Sequence, residues 1–235
     1  MQVSSEQNYY GSVQNDLEVE RAGVKSAMLF FDPGCPWTWK TARWLFQVAD
    51  HEAVPVQWLP FKLELLLEGG PVPEAYRRGA QMSTAALRIV ARLNDLGRGH
   101  DVRRYYEALG RRVHDELEPP IAELAHAVAS EVGLGPAAGV ETGGPLDDAI
   151  EASSKRAQEL SGPRLGSPVV AVEFDDGRVR GAFGPVLTAE VSLGQASDLW
   201  RTTVAFLKID AVSEVKQARG LHLELDASLT PHVSS

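Results

Sequence analysis

An apolar run from Val24 to Phe31 stops at Asp32-Pro33-Gly34 and is followed at once by Cys35-Pro36 and a stretch with helical periodicity. Unbroken apolar character over that length suits a buried strand, and the Asp-Pro-Gly triplet suits a tight turn. Pro36 fits the first helical position, where a missing N–H costs nothing. Trp37, Ala42, Trp44, Leu45, Val48 and Ala49 recur with a helical period, which predicts a helix to about His51. A second strand is predicted over 54–59, with Pro55 marking its start or an edge.

Between residues 71 and 162 the composition shifts to Ala, Leu, Arg and Glu, and helices are predicted over 73–97, 101–116, 119–132 and 145–161. Leu165-Gly166-Ser167-Pro168 then leads into Val169-Val170-Ala171-Val172-Glu173-Phe174, an alternating, β-branched strand pattern. Asp175-Asp176-Gly177 is a hairpin signal, 178–183 a return strand and 188–208 a last helix. The order strand–helix–strand, helical insert, strand–strand–helix predicts a layered α/β domain with an all-helical subdomain. The expected division is an N-terminal extension over 1–24, a core from 25–63 and 163–208, a helical insertion over 64–162 and a tail over 209–235.

With 235 residues the chain can bury a sizeable core, and a net charge of −9 offers no basic field to nucleic acid or to an anionic membrane. No stretch reaches the roughly 20 apolar residues of a membrane helix. The polar, acidic N-terminus lacks the pattern of a secretory signal, so the cytoplasm is the expected compartment. The six histidines form no metal-binding pattern, and no metal is expected. The oligomeric state stays open, with a homodimer compatible with the sequence.

Cys35 is the chain's single cysteine, so no disulfide can close within the chain. A thiolate at a helix start can accept hydrogen bonds from the free N–H groups of the first turn, and the helix dipole favours its charge. This placement predicts a pKa below that of a free thiol and a reactive nucleophile. The alternative, a buried structural cysteine, fits the Gly-Cys-Pro turn less well. Thr38 lies one helical turn on, where its hydroxyl can bond a thiolate or an oxyanion; it can equally be a plain first-turn residue. Trp37 can stack on a flat ligand or simply pack.

The segment Phe31-Asp32-Pro33-Gly34-Cys35-Pro36-Trp37-Thr38-Trp39 resembles the active-site stretch of DsbA-like thioredoxin-fold proteins, especially the actinobacterial group that includes mycothiol-dependent nitroreductases. Gly166-Ser167-Pro168-Val169-Val170 resembles that family's cis-proline loop. Gly184-Pro185-Val186-Leu187, the Leu199-Trp200 helix and Leu109-Gly110-Arg111-Arg112-Val113-His114 also match. The resemblance implies a thioredoxin-like core, with Ser167 and Pro168 packed against the sulfur; an ordinary strand-start proline is the other reading of Pro168. It draws attention to His114 as a proton shuttle facing Cys35, although a helix-surface histidine is equally compatible. Pro36, Tyr76 and Arg77 are candidate pocket residues. The dithiol members carry Cys-x-x-Cys, whereas this chain has Thr38 at the second position.

Three functions fit. Cys35 can add reversibly to a small conjugated electrophile and catalyse cis–trans double-bond isomerisation, with no resolving thiol and no cofactor. It can serve a monothiol oxidoreductase in which a low-molecular-weight thiol, mycothiol by resemblance, replaces the missing cysteine. Or the fold can be a non-catalytic binding module. The lone cysteine places isomerisation first, the family resemblance supports the oxidoreductase, and the retained Gly-Cys-Pro-Trp turn disfavours the binding module.

Overall fold

The computed structural model describes residues 23–67, 74–135 and 144–217, the side chains of residues 74–78 excepted. Most of the expected N-terminal extension and the end of the expected tail therefore lie outside the described residues.

Strand β1 (Val24–Phe31) is the hub, with β2 (Val56–Pro60) parallel on one side and β3 (Val169–Phe174) antiparallel on the other. Strand β4 (Val179–Phe183) pairs antiparallel with β3, giving the order β2-β1-β3-β4. Being central and covered on both faces, β1 reads as a continuous apolar run. Its period-2 alternation sends Ala27, Leu29 and Phe31 into one cluster and Met28 and Phe30 into the other. Burying each of Met28, Leu29, Phe30 and Phe31 contributes about 1.5–3 kcal/mol. This sheet, with helix α1 (Pro36–His51) between β1 and β2 and helix α6 (Leu193–Lys208) after β4, is the thioredoxin topology.

Between β2 and β3 run a short 3-10 turn (Leu63–Leu67) and helices α2 (Glu74–Asp95), α3 (Gly99–Gly110), α4 (Ala122–Glu131) and α5 (Pro145–Ser161). Ile89, Tyr106 and Val128 of α2, α3 and α4 join the larger cluster with Trp44 and Leu45 of α1 and Trp200 of α6. Ala157 of α5 covers the opposite sheet face together with Phe61.

The largest departures from the expected element boundaries lie in the insert and at the last helix. The helix expected over 101–116 ends at Gly110 and continues as a π-helical turn, Arg111–Asp115. The helix expected from 119 starts at Ala122, because Pro119 and Pro120 precede it and the Ile121 N-cap is still extended. The last helix starts at Leu193, not at 188. Ser192 caps it by accepting from the Gln195 amide, and its own amide donates to the Gln195 side-chain oxygen in return, which leaves 184–192 as a connecting segment.

Candidate active site

The turn after β1 is tied by a buried carboxylate. Asp32, 5% exposed, accepts through Oδ1 from the Gly34 amide at 2.9 Å and from the Ser83 hydroxyl of α2. Its Oδ2 accepts from the Leu63 amide at 2.9 Å. One side chain thus joins the nucleophile loop, the segment after β2 and the inserted helices. Burial pushes its pKa up, against the three donors that favour the anion.

Cys35 is the N-cap of α1, with Pro36 at the first helical position, and is 7% exposed. Its thiol donates to the Ser167 carbonyl at 3.7 Å. Here the structure corrects the sequence expectation. The thiol is pushed above its ordinary value, chiefly by burial and further by the Asp32 charge, although bonds from the Thr38 hydroxyl and the Thr38 and Trp37 amides pull it down. The helix start is a real stabiliser of the thiolate, and desolvation outweighs it.

Ser167 is the second hub. Its hydroxyl accepts from the Asp32 amide at 3.1 Å and pairs with the Thr38 hydroxyl at 2.7 Å. Thr38 is fully buried, so it belongs to the floor of the site. The Ser167–Pro168 bond is cis, as is Gly184–Pro185. The Pro185 carbonyl accepts from the Thr41 hydroxyl at 2.7 Å, which fastens the segment after β4 to α1.

His114 bonds the backbone of the nucleophile turn. Its Nε2 lies 2.8 Å from the Pro33 carbonyl, which can only accept, so Nε2 carries the proton. Burial lowers its pKa, which keeps it neutral near pH 7, and its ring stacks on Trp39 with centroids 6.2 Å apart. It therefore braces the Pro33 turn from the inserted side. Trp39 in turn donates through Nε1 to Asp115 at 2.9 Å.

Two cavities meet at Pro36 and His114, which line both. The first, about 260 Å³, lies between the nucleophile turn and the inserted helices, walled by Gly34, Ala80, Val113 and Leu117, with Lys62 and Glu64 paired at 3.1 Å on its edge. The second, about 480 Å³, is lined by Trp39, Lys40, Arg43, Asp115, Ala189 and Glu190 beside the shared pair.

A family model described as Rv2466c-like, mycothiol-dependent nitroreductase Rv2466c, matches residues 34–217. The chain belongs to this family. It is also similar to the uncharacterized protein Rv2286c of Mycobacterium tuberculosis (strain ATCC 25618 / H37Rv), with 25% identity over 190 residues covering 80% of each protein. Among solved structures it resembles the cytosolic disulfide reductase DsbM from Pseudomonas aeruginosa, with a TM-score of 0.47 and 17% identity over 77% of this chain and 97% of that one. It also resembles Pseudomonas aeruginosa DsbA, with a TM-score of 0.41 and 16% identity over 77% of this chain and 83% of that one.

Within the family match, Ser167 is bonded to both Cys35 and Thr38, Pro36 follows Cys35 at the helix start and Pro168 follows Ser167 across a cis bond, while Trp37 is half-buried and lines neither cavity. The side chains of Tyr76 and Arg77 lie outside the described residues. Sequence reasoning missed Asp32 and Ser83 as partners. The one available signal was a carboxylate standing between a buried strand end and a Pro-Gly turn, where an acid is seldom left without donors. It also missed Trp39, whose ring closes on Gly110: a Cβ there would meet the indole at 2.3 Å. No helix among the described residues is long and apolar enough to cross a membrane, and those residues hold no metal-binding cluster.

Proposed function

We propose that the protein is a monothiol thiol–disulfide oxidoreductase in which Cys35 is the nucleophile and a low-molecular-weight thiol, mycothiol in keeping with the family, does the work of the absent resolving cysteine. The observation that carries this reading is Thr38. A buried hydroxyl bonded to Ser167 occupies the position from which a second thiol would attack. The chain has no other cysteine to take its place.

The cycle starts with the Cys35 thiol on the Ser167 carbonyl. After losing its proton, Sγ attacks the R-side sulfur of an oxidised substrate X–S–S–R, in which R is the carrier thiol. A Cys35–S–S–R bond forms, the substrate S–S bond breaks, and X–S⁻ leaves with the electron pair and is protonated. The thiolate of a second R–SH then attacks the R sulfur, releasing R–S–S–R and Cys35 thiolate. Thr38 and the first-turn amides hold the thiolate in both half-reactions. The inserted helices supply the far wall of the smaller cavity, where an apolar X group fits. A thiol kept reduced between turnovers suits the cytoplasm.

In the isomerisation reading His114 would be the acid at the developing enolate, and its Nε2 proton is held by the Pro33 carbonyl. The family supports reduction instead. The deciding assay incubates the protein with a mycothiol mixed disulfide, with and without free mycothiol. The expected result is one X–SH released per mycothiol consumed, an intact-mass adduct of one mycothiol on Cys35, and loss of both in Cys35→Ser. Conversion of a conjugated alkene without thiol consumption, and no adduct from the disulfide, would overturn the reading.

A further inference from the structure

Just beyond the π-helical turn Arg111–Asp115, Leu117 adopts φ +57°, the left-handed conformation in which a helix usually ends on glycine. The backbone there is held from both sides. The Glu118 amide donates to the Arg112 carbonyl at 2.9 Å. The Arg112 guanidinium grips the Glu118 carboxylate at 2.6 and 2.7 Å and reaches Glu131 of α4 at 2.9 Å. The turn therefore fixes the conformation, and glycine would adopt it without strain. Leucine bears the strain and still leaves 41% of its surface exposed. It lines the smaller cavity together with Gly34 and Pro36, the residues on either side of Cys35. Of that pair the larger cavity takes in Pro36 alone.

We propose that Leu117 is the specificity-determining wall of the smaller cavity, which takes a neutral apolar group the size of an aromatic ring, carried by the substrate of Cys35. This rests on Cys35 as the nucleophile, the first element of the monothiol reading. Strained residues persist where their surroundings over-determine them, and they concentrate at ligand clamps. The Arg112 grip on Glu118 meets the first condition and the cavity beside the nucleophile turn meets the second. An apolar cavity of about 150 Å³ is enough to hold benzene. The 260 Å³ here admits one ring, and falls short of the pockets that enclose a whole drug-sized ligand. Its charged groups are already satisfied. Lys62 is paired with Glu64 at 3.1 Å, and the Asp32 oxygens accept from Gly34, Ser83 and Leu63. The described lining thus leaves no free cation for an anionic group, and the Asp32 carboxylate opposes one. A ring in the cavity covers the exposed part of Leu117, and burial of about two methylene equivalents is worth about tenfold in rate.

The test labels Cys35 with three methanethiosulfonates, CH3SO2–S–R, in which R is methyl, benzyl or anionic 2-sulfonatoethyl. The Cys35 thiolate attacks the sulfur that bears R, the Cys35–S–S–R bond forms, the S–SO2 bond breaks and methanesulfinate leaves with the electron pair. Intact mass follows the rates, each divided by the rate of the same reagent with free N-acetylcysteine. The expected order is benzyl about tenfold over methyl, with sulfonatoethyl slowest. Leu117→Asn and Leu117→Gly both accept the left-handed conformation. Each should remove most of the benzyl preference without lowering the urea midpoint, whereas a leucine needed only for packing would lower it. Absence of a benzyl preference, sulfonatoethyl as fast as benzyl, a preference kept in both variants, or a lowered midpoint in Leu117→Asn would overturn the assignment and leave the monothiol reading standing. Failure of all three reagents to label Cys35 would overturn both. A benzyl preference that depends on Leu117, in a protein that fails the mycothiol assay, would remove the carrier-thiol cycle and uphold the cavity assignment.

Discussion

At Cys35, helix-start stabilisation and burial act in opposite directions, and burial prevails. A high-pKa thiol presents little thiolate at neutral pH, but each thiolate that forms is the stronger nucleophile. The alkylation rate of Cys35 against pH should therefore keep rising beyond the ordinary thiol value of 9.0. Removing the Asp32 charge with Asp32→Asn should move the inflection down, because a neighbouring anion disfavours the thiolate. Thr38→Ala should move it up by deleting a hydroxyl donor. A rate that levels off near pH 7, or shifts of opposite sign, would contradict this balance.

At the scale of elements, the end of α3 holds the site against the inserted helices. Gly110 gives way to the π-helical turn, which aims His114 at Pro33 and Asp115 at Trp39. The Trp39 ring lies where a side chain at 110 would be, and the indole is itself hemmed in by Phe46 and Tyr106. Gly110→Ala should cost about 1–3 kcal/mol by overpacking, read from urea unfolding. It should also weaken the His114 brace, seen as faster proteolysis near the Pro33 turn. An unchanged midpoint would mean that the ring swings aside. The strands and most helices were legible from periodicity alone. The π-helical turn was not, because a helix that widens by one residue leaves the spacing of its apolar residues almost unaltered.

For the whole molecule, Asp32 is the fastening between three segments, and it titrates. Its folded-state pKa lies above its ordinary 3.8, so in the interval above that value the folded chain holds a proton the unfolded chain has lost. Stability from this group is full below the unfolded value and declines as pH rises through the folded one. Asp50, Glu118, Glu173 and Asp176 are shifted the other way by their partners and favour folding as pH rises, but they are common to both proteins in a mutant comparison. Asp32→Asn should therefore be least stable relative to the native chain near pH 4, with the gap narrowing towards pH 7. Denaturant midpoints at the two pH values measure it, and a gap that widens with pH would refute the assignment.

From the sequence alone come the strand, the Asp-Pro-Gly turn, the cysteine at a helix start and the order of elements around a helical insert. These rest on local rules, namely turn chemistry, periodicity and the tolerance of a first-turn proline, which neighbours along the chain suffice to express. The ionisation of Cys35, the Thr38–Ser167 bond across 129 residues and the turning of His114 onto the Pro33 carbonyl were decided by tertiary structure. Each depends on how much water packing removes and which distant dipoles and charges it brings close, and those quantities belong to the folded surroundings of a residue and not to its neighbours in sequence.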